Sequence, residues 1–356
     1  MSPLSISTDH PEPKTVSGPF QHADAVAAGL RFHYLHEGAG FPVILLSGFP
    51  QSGYAWRRVI PDLARDYRVI APDLPGQGDS DRPTDGYDTS TVSQRLDRFL
   101  TELGLDRFHL VGHDVGAWVA FTYAATFRSK IETLTLIDAG IPGITLRPEI
   151  RLQEARNRWH FLFQQVPELA ESVVAGREEA YITWFFRNKA ARADVFSDAD
   201  IREYTRVYSA PGAMAASFKF YQAVPESMEQ NQALATKKFS FPVLAIGGEH
   251  GSTPNIGKDL LPIAPNTLGL VFPCGHYVPE EEPERLVAEL RTFFKAAGGR
   301  KGSGVLECWS DGVMECWVAG SESHAVSGAG SSTSCGLSAL AAFFCTIPGP
   351  RGLSPG

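Results

Sequence analysis

The stretch that most constrains this chain is Phe108-His-Leu-Val-Gly-His-Asp114-Val-Gly116-Ala-Trp118. Its first four residues are mostly apolar and read as a buried strand, and residues 116–125 read as a helix, so residues 112–116 must turn sharply between the two. Glycines on either side of the central residue permit a tight strand-to-helix turn that pushes one side chain out above a sheet, beside a helix N-terminus. The side chain presented here is the carboxylate of Asp114. An Asp between a strand and a helix is also an ordinary N-cap, so its role depends on what the rest of the chain brings to it.

A carboxylate that attacks a carbonyl makes an anhydride, whereas one that attacks saturated carbon makes an ester that water can cleave. Asp114 at such a turn therefore points to alkylation chemistry, with an epoxide or an alkyl halide as substrate. A Ser in its place would point to acyl transfer.

The rest of the chain supplies a setting for this turn. Residues 25–37 alternate as a hairpin around Ala27-Ala28-Gly29, and residues 42–48 and 67–74 are apolar runs of the kind that form strands buried on both faces. Between them residues 54–65 read as a helix with Trp56, Ile60, Leu63 and Ala64 inward, and residues 91–103 read as another. A strand at 131–138 follows the helix after Asp114. Strand and helix alternating in this way imply an α/β class fold, a mostly parallel sheet flanked by helices. The alternation then stops. Residues 149–165, 177–188, 198–208 and 213–223 are all helical in period, which makes 141–236 an inserted helical cap. Strands resume at 241–247 and 268–272, and a last helix spans 280–296.

The expected organisation is thus a flexible segment at 1–19, a catalytic core at 20–140 and 237–297, the cap at 141–236, and a low-complexity, disordered tail at 298–356. The tail is rich in Gly and Ser and contains a near-repeat, Glu307-Cys308-Trp309 and Glu315-Cys316-Trp317, without the Cys-x-x-Cys spacing of a metal knuckle. A net charge of -8 gives no basic surface for nucleic acid or anionic lipid, and a small neutral substrate fits that balance. The first twenty residues lack the apolar core of a signal peptide and no later run spans a bilayer, so the expected location is cytoplasmic.

An Asp nucleophile needs a base for the second half-reaction. His276, in Cys274-Gly-His-Tyr-Val-Pro279, follows the last strand, where a loop brings it over the turn. The base needs an acid to fix its tautomer. Asp138, after the strand that follows the Asp114 helix, is preferred to Glu249, which follows the next strand. The oxyanion donors are expected to be the backbone N–H of Val115 and that of Phe49, in Ser47-Gly-Phe-Pro-Gln51. Phe49-Pro50 is expected to be cis, since the loop must turn back sharply to aim an N–H at the site.

With these residues placed, the chain from about Phe20 to Ala297 resembles the α/β-hydrolase fold family, on the branch of the epoxide hydrolases and haloacid dehalogenases. Arg158-Trp-His-Phe161, Ala175-Gly-Arg-Glu-Glu179, Ser217-Phe-Lys-Phe-Tyr221 and Glu229-Gln-Asn231 resemble the Cif-type bacterial epoxide hydrolases. The resemblance implies that His160 and Tyr221 of the cap donate hydrogen bonds to the epoxide oxygen, and that Asp138 is the acid. It implies neither cofactor nor metal. Ring opening calls for an acid, because an alkoxide leaves poorly, and Tyr204 and Tyr208 are rivals for that role. Ser47 stands where the family usually carries a His that braces the oxyanion loop. Fluoroacetate-type dehalogenases resemble Gly48-Phe-Pro-Gln51 but place Arg directly after the nucleophile and Trp after the cap His, where this chain has Val115 and Phe161. Haloalkane dehalogenases place Trp after the nucleophile and Asn in the oxyanion loop, where this chain has Val115 and Phe49. The expected activity is hydrolysis of a small-molecule epoxide to a vicinal diol. A hydrolytic dehalogenase on the same Asp and a non-catalytic binding protein on a hydrolase fold are the alternatives.

Overall fold

The hairpin forms as its pattern requires: β1 (Gln21–Ala27) and β2 (Leu30–Glu37) pair antiparallel, and the two residues between them, Ala28 and Gly29, both have positive φ. Such a turn matches the twist of the flanking strands. The computed structural model describes residues 18–298, apart from 148 and 193, together with the strands Val305–Ser310 and Val313–Val318.

After the hairpin come β3 (Pro42–Leu46), α1 (Ile60–Leu63), β4 (Arg68–Pro72), α2 (Thr89–Glu102), β5 (Phe108–His113), α3 (Val115–Thr126) and β6 (Ile131–Ile137). A run of helices follows: α4 (Ala155–Gln164), α5 (Pro167–Val174), α6 (Glu178–Lys189), α7 (Asp198–Tyr208), α8 (Ala213–Gln222) and α9 (Val224–Leu234). The chain then returns to β7 (Val243–Gly248), α10 (Ile256–Leu260), β8 (Thr267–Phe272), α11 (Val278–Glu281) and α12 (Pro283–Gly298).

The strands form one eight-stranded sheet in the order β1-β2-β4-β3-β5-β6-β7-β8, with β3 to β8 parallel to one another. β5 is central and buried along its whole length. One face of the sheet packs on α1 and α12 and the other on α2 and α3. Every residue of α3 from Val115 to Ala125 is buried, because α2, the sheet and α9 surround it. The turn at Asp114 is thereby fixed at both ends, by the middle strand of the sheet and by a helix enclosed on all sides.

Several elements differ from the sequence reading: α10 is not expected from it, α4 begins at Ala155 rather than at 149, and four further helices differ where a proline is involved. The helix expected at 54–65 is a 3-10 turn, Gly53–Trp56, followed by the short α1, because Pro61 cannot supply an N–H to a helix already under way. The last helix is likewise divided at Pro283 into α11 and α12. In the insert, α5 begins at Pro167 and α9 at Val224 with Pro225 next, prolines that suit the first turn of a helix, and their short apolar pattern hid them.

Residues 300–356 form a separate compact unit, of which the described part is the antiparallel pair β9 (Val305–Ser310) and β10 (Val313–Val318). The near-repeat falls on this ladder, with Glu315 opposite Cys308 and Cys316 opposite Glu307. The remainder of the expected tail, and residues 1–17 of the expected flexible segment, lie outside the described residues. Among the described residues no helix is long and apolar enough to cross a membrane.

Candidate active site

Asp114 adopts φ 53° and ψ -123°, a conformation rarely open to a residue with a side chain. The turn closes so tightly that a β-carbon on Gly112 would overlap the backbone of Gly116, and one on Gly116 would overlap the Leu46 carbonyl. Gly48 is just as close to the carboxylate: a β-carbon there would overlap Asp114 itself. The Asp114 side chain makes no capping bond to α3. Its Oδ1 instead accepts the Phe49 backbone N–H at 2.9 Å, delivered by a loop with a cis Phe49-Pro50 bond and a Gln51 N–H to Gly48 carbonyl bond of 2.7 Å. Val115 opens α3, where helix geometry leaves N–H groups without helical partners next to the same carboxylate.

His276 follows β8 and reaches both acids. Its Nε2 lies 3.4 Å from Asp114 Oδ2, and its Nδ1 lies 2.7 Å from Asp138 Oδ2. Asp138 directly follows β6, is fully buried, and takes φ 40°. Its carboxylate accepts backbone N–H bonds from Gly248, Ser252 and Thr253 at 3.1, 2.7 and 3.0 Å, so its position is fixed independently of the histidine. Glu249, the rival acid, is exposed.

Burial by itself would raise the pKa of Asp114, but the hydrogen bond and charge of His276 outweigh it and hold the carboxyl well below the usual carboxylate range. Asp138 is likewise lowered, burial being overcome by His276 and by the Ser252 and Thr253 amides. Burial would lower His276, yet its bonds to Asp114 and Asp138 and their charges raise it above the ordinary histidine value. Resting ionisation is therefore an Asp114 carboxylate beside an imidazole that two carboxylates favour in its protonated form.

The helices between β6 and β7 face this group across a cavity of about 600 Å³ lined by Asp114, Trp118, His160, Phe161, Lys189 and Ser252 among others. His160, on α4, is buried, and burial together with the Lys189 charge depresses its pKa well below the ordinary value, so it stays neutral. Tyr221, on α8, is buried with its ring centre 5.6 Å from His160, 5.8 Å from Phe49 and 5.5 Å from Trp118. Burial raises its phenol well above the ordinary value, so it holds its proton. The rival tyrosines are otherwise engaged: Tyr204 donates to Glu280 Oε1 at 2.7 Å and Tyr208 to the Gln51 carbonyl at 2.9 Å.

The α/β-hydrolase fold model matches residues 42–283. The soluble epoxide hydrolase of Corynebacterium sp. (strain C12) is 37% identical over 278 residues, 77% of this chain and 96% of that protein. The chain belongs to the α/β-hydrolase fold family. Within that family it falls on the epoxide hydrolase branch. A fluoroacetate dehalogenase of Burkholderia sp. is 30% identical over 271 residues, 73% of this chain and 89% of that one. The crystal structure of Cfl2 from Burkholderia cenocepacia superposes with a TM-score of 0.75 at 46% identity, covering 78% of this chain and 96% of that one.

The structure of this α/β hydrolase adds Ser252 and Lys189, which sequence reasoning missed, and it turns His113 away from the cavity, as expected of the residue before Asp114 in the turn. His113 does not line the cavity; its pKa is pushed down to about 4 by burial and by the His276 charge, and as a neutral ring its Nε2–H donates to the His276 carbonyl at 2.8 Å. It steadies the backbone of the proposed base. Ser252 supplies an amide to Asp138 and brings its hydroxyl to 3.3 Å from His276 Nδ1. Lys189, the last residue of α6, carries an ammonium 3.4 Å from His160 Nε2, while its carbonyl accepts the His276 N–H at 2.8 Å. A lysine in the final turn of a helix reads as an ordinary complement to the helix dipole, so nothing local distinguished it. His33, Asp73 and Asp79 lie close enough together to hold a cation, but Asp73 accepts the Gly53 and Asp79 amides and Asp79 is held by Arg206.

Proposed function

We propose that this chain is an epoxide hydrolase that makes a vicinal diol through an ester on Asp114, with residues 20–140 and 237–297 as catalytic core and 141–236 as cap. The observation that carries this reading is the double engagement of the Asp114 carboxylate: Oδ1 lies on the Phe49 N–H and Oδ2 faces His276 and the cavity.

In the first step Oδ2 bonds to a ring carbon as that carbon's bond to the ring oxygen breaks. The electron pair left on the oxygen takes a proton from Tyr221, with His160 as second donor. In the second step His276 removes a proton from water, whose oxygen attacks Cγ of the ester. The negative charge that develops on Oδ1 is met by the N–H groups of Phe49 and Val115, already in place before the reaction. Collapse expels the diol and restores the carboxylate, and the proton on His276 returns through solvent to the tyrosinate. Asp138 stabilises the imidazolium formed in between.

An alkoxide needs a proton to leave and a halide does not, so a proton-holding Tyr221 beside the carboxylate favours the epoxide over the halide. The test is a panel of small epoxides, styrene oxide included, assayed for diol, alongside chloroacetate and an alkyl bromide assayed for halide. Diol formation supports the reading; halide release without diol overturns it.

A further inference from the structure

We propose that Lys189 binds a carboxylate, and that the substrate class of this site is the 2,3-epoxy carboxylates, in which the carboxylate is attached to an oxirane carbon. This rests on the epoxide hydrolase reading and specifies it.

Lys189 lies deep in the fold yet remains partly open to the cavity, and among the described residues no carboxylate stands within ion-pair distance of its ammonium. A cation so placed is costly without a counter-charge. Burial lowers its pKa, and the charges that offset this are those of Asp114 and Asp138, acting over a distance. Once Asp114 is esterified its charge is gone, and the larger of the two compensating charges disappears at the intermediate. A carboxylate carried in by the substrate restores it at that moment, and also offsets its own repulsion by Asp114 on entry.

The spacing agrees. Without substrate the Lys189 ammonium donates to Nε2 of the neutral His160 ring at 3.4 Å; with the ring's proton moved from the unpartnered Nδ1 to Nε2, the two groups can each donate to one of an oxirane oxygen and a carboxylate oxygen on the adjacent carbon, which are about 3 Å apart. The same cavity is lined by the exposed Arg147 and Arg151, neither of which has an ion pair among the described residues, while Arg158 is paired with Glu154. Glu149 lines it as well, so Arg147, Arg151 and Arg158 stand against Glu149 and Glu154, a balance of one positive charge that favours an anion locally in a protein of net charge -8.

The experiment compares glycidate with glycidamide, equal in size and differing in charge. The intact protein is expected to prefer glycidate at least tenfold in kcat/KM at low salt, and the preference to shrink as salt rises. Lys189→Gln is expected to lower the glycidate to glycidamide ratio tenfold or more, and Lys189→Arg to keep most of it. Equal turnover of the two by the intact protein, or a ratio unchanged in Lys189→Gln, overturns the proposal. A binding arm needs neither turnover nor a folded Lys189→Gln protein: Asp114→Asn protein titrated calorimetrically is expected to bind glycidate more tightly than glycidamide, and equal or weaker binding of glycidate also overturns it. If no epoxide at all is opened, the epoxide hydrolase reading fails, and the binding arm still decides the carboxylate site.

Discussion

A β-carbon on Gly251 would stand 2.6 Å from both carboxylate oxygens of Asp138. Those oxygens are held by three backbone amides and His276, so they cannot move aside. The space that an acid on the loop after β7 would need is filled by the acid after β6, and the two positions exclude each other. Gly251→Ala is expected to displace the Asp138 carboxylate and lower kcat for epoxide hydrolysis at least tenfold, as a misplaced orienting group does. A variant with unchanged kcat would show that the carboxylate does not need its present position.

Tyr221→Phe is expected to slow formation of the ester by about two orders of magnitude, the usual size of a general-acid contribution, with His160 retaining part of the effect. Stopped-flow measurement of the alkylation phase checks this. An unchanged rate would make Tyr221 a packing residue against Phe49, Trp118 and Phe161.

The fold and the central constellation were legible because each of their signals is local. Gly112 and Gly116 around Asp114, Pro50 after Phe49, and an acid and a histidine just after strands can all be read from a few neighbouring residues. The helices with Pro167 and Pro225 in their first turns escape such reading, and the one broken at Pro61 reads as continuous, because in short segments period alone does not show where a proline starts a new helix. Lys189, and the bond that His113 makes, were invisible for another reason. Their partners, His160 and the His276 carbonyl, are brought to them only by tertiary folding across 29 and 163 positions.

The raised His276 pKa sets the pH dependence. Asp114 and Asp138 both favour the protonated ring, so the free enzyme holds His276 as imidazolium to a pH above the ordinary histidine value. Ester hydrolysis needs the neutral ring, so its rate is expected to rise with pH. Esterification removes the Asp114 charge and hydrogen bond, so the pKa governing ester decay is expected to lie below the one read by NMR from His276 in the free enzyme. A decay rate that falls with rising pH would contradict His276 as base.

Arg57 joins the sheet domain to the insert, with Nη1 2.6 Å from Glu280 and Nη2 2.7 Å from Asp200 of α7. Burial already raises the Glu280 pKa against the opposing effect of Arg57. Arg57→Met is expected to cost about 3 kcal/mol at neutral pH, because it leaves the buried Glu280 and Asp200 carboxylates only the 3.8 Å ion-pair contacts of the more exposed Arg58. Glu280 would then take up a proton more readily folded than unfolded, so the deficit is expected to shrink as pH falls. Urea denaturation at two pH values checks both statements.

Ser47 Oγ is buried and has no hydrogen-bond partner among the described residues. Ser47→Ala is therefore expected to leave stability unchanged or raise it by about 1 kcal/mol, as removal of an unsatisfied polar group does. A loss of stability in thermal unfolding would show that the hydroxyl supports the oxyanion loop.

The covalent ester on Asp114 is tested most directly by separating the two steps. His276→Gln protein incubated with styrene oxide is expected to gain the mass of the intact epoxide on the peptide that contains Asp114, and Asp114→Asn to gain nothing. In the unaltered protein, a single turnover in ¹⁸O-labelled water is expected to place the heavy oxygen in the Asp114 carboxylate, because water attacks the carbonyl of the ester and not the substrate carbon. Label found in the diol after that first turnover, with none in Asp114, would contradict the ester and leave Asp114 as a general base.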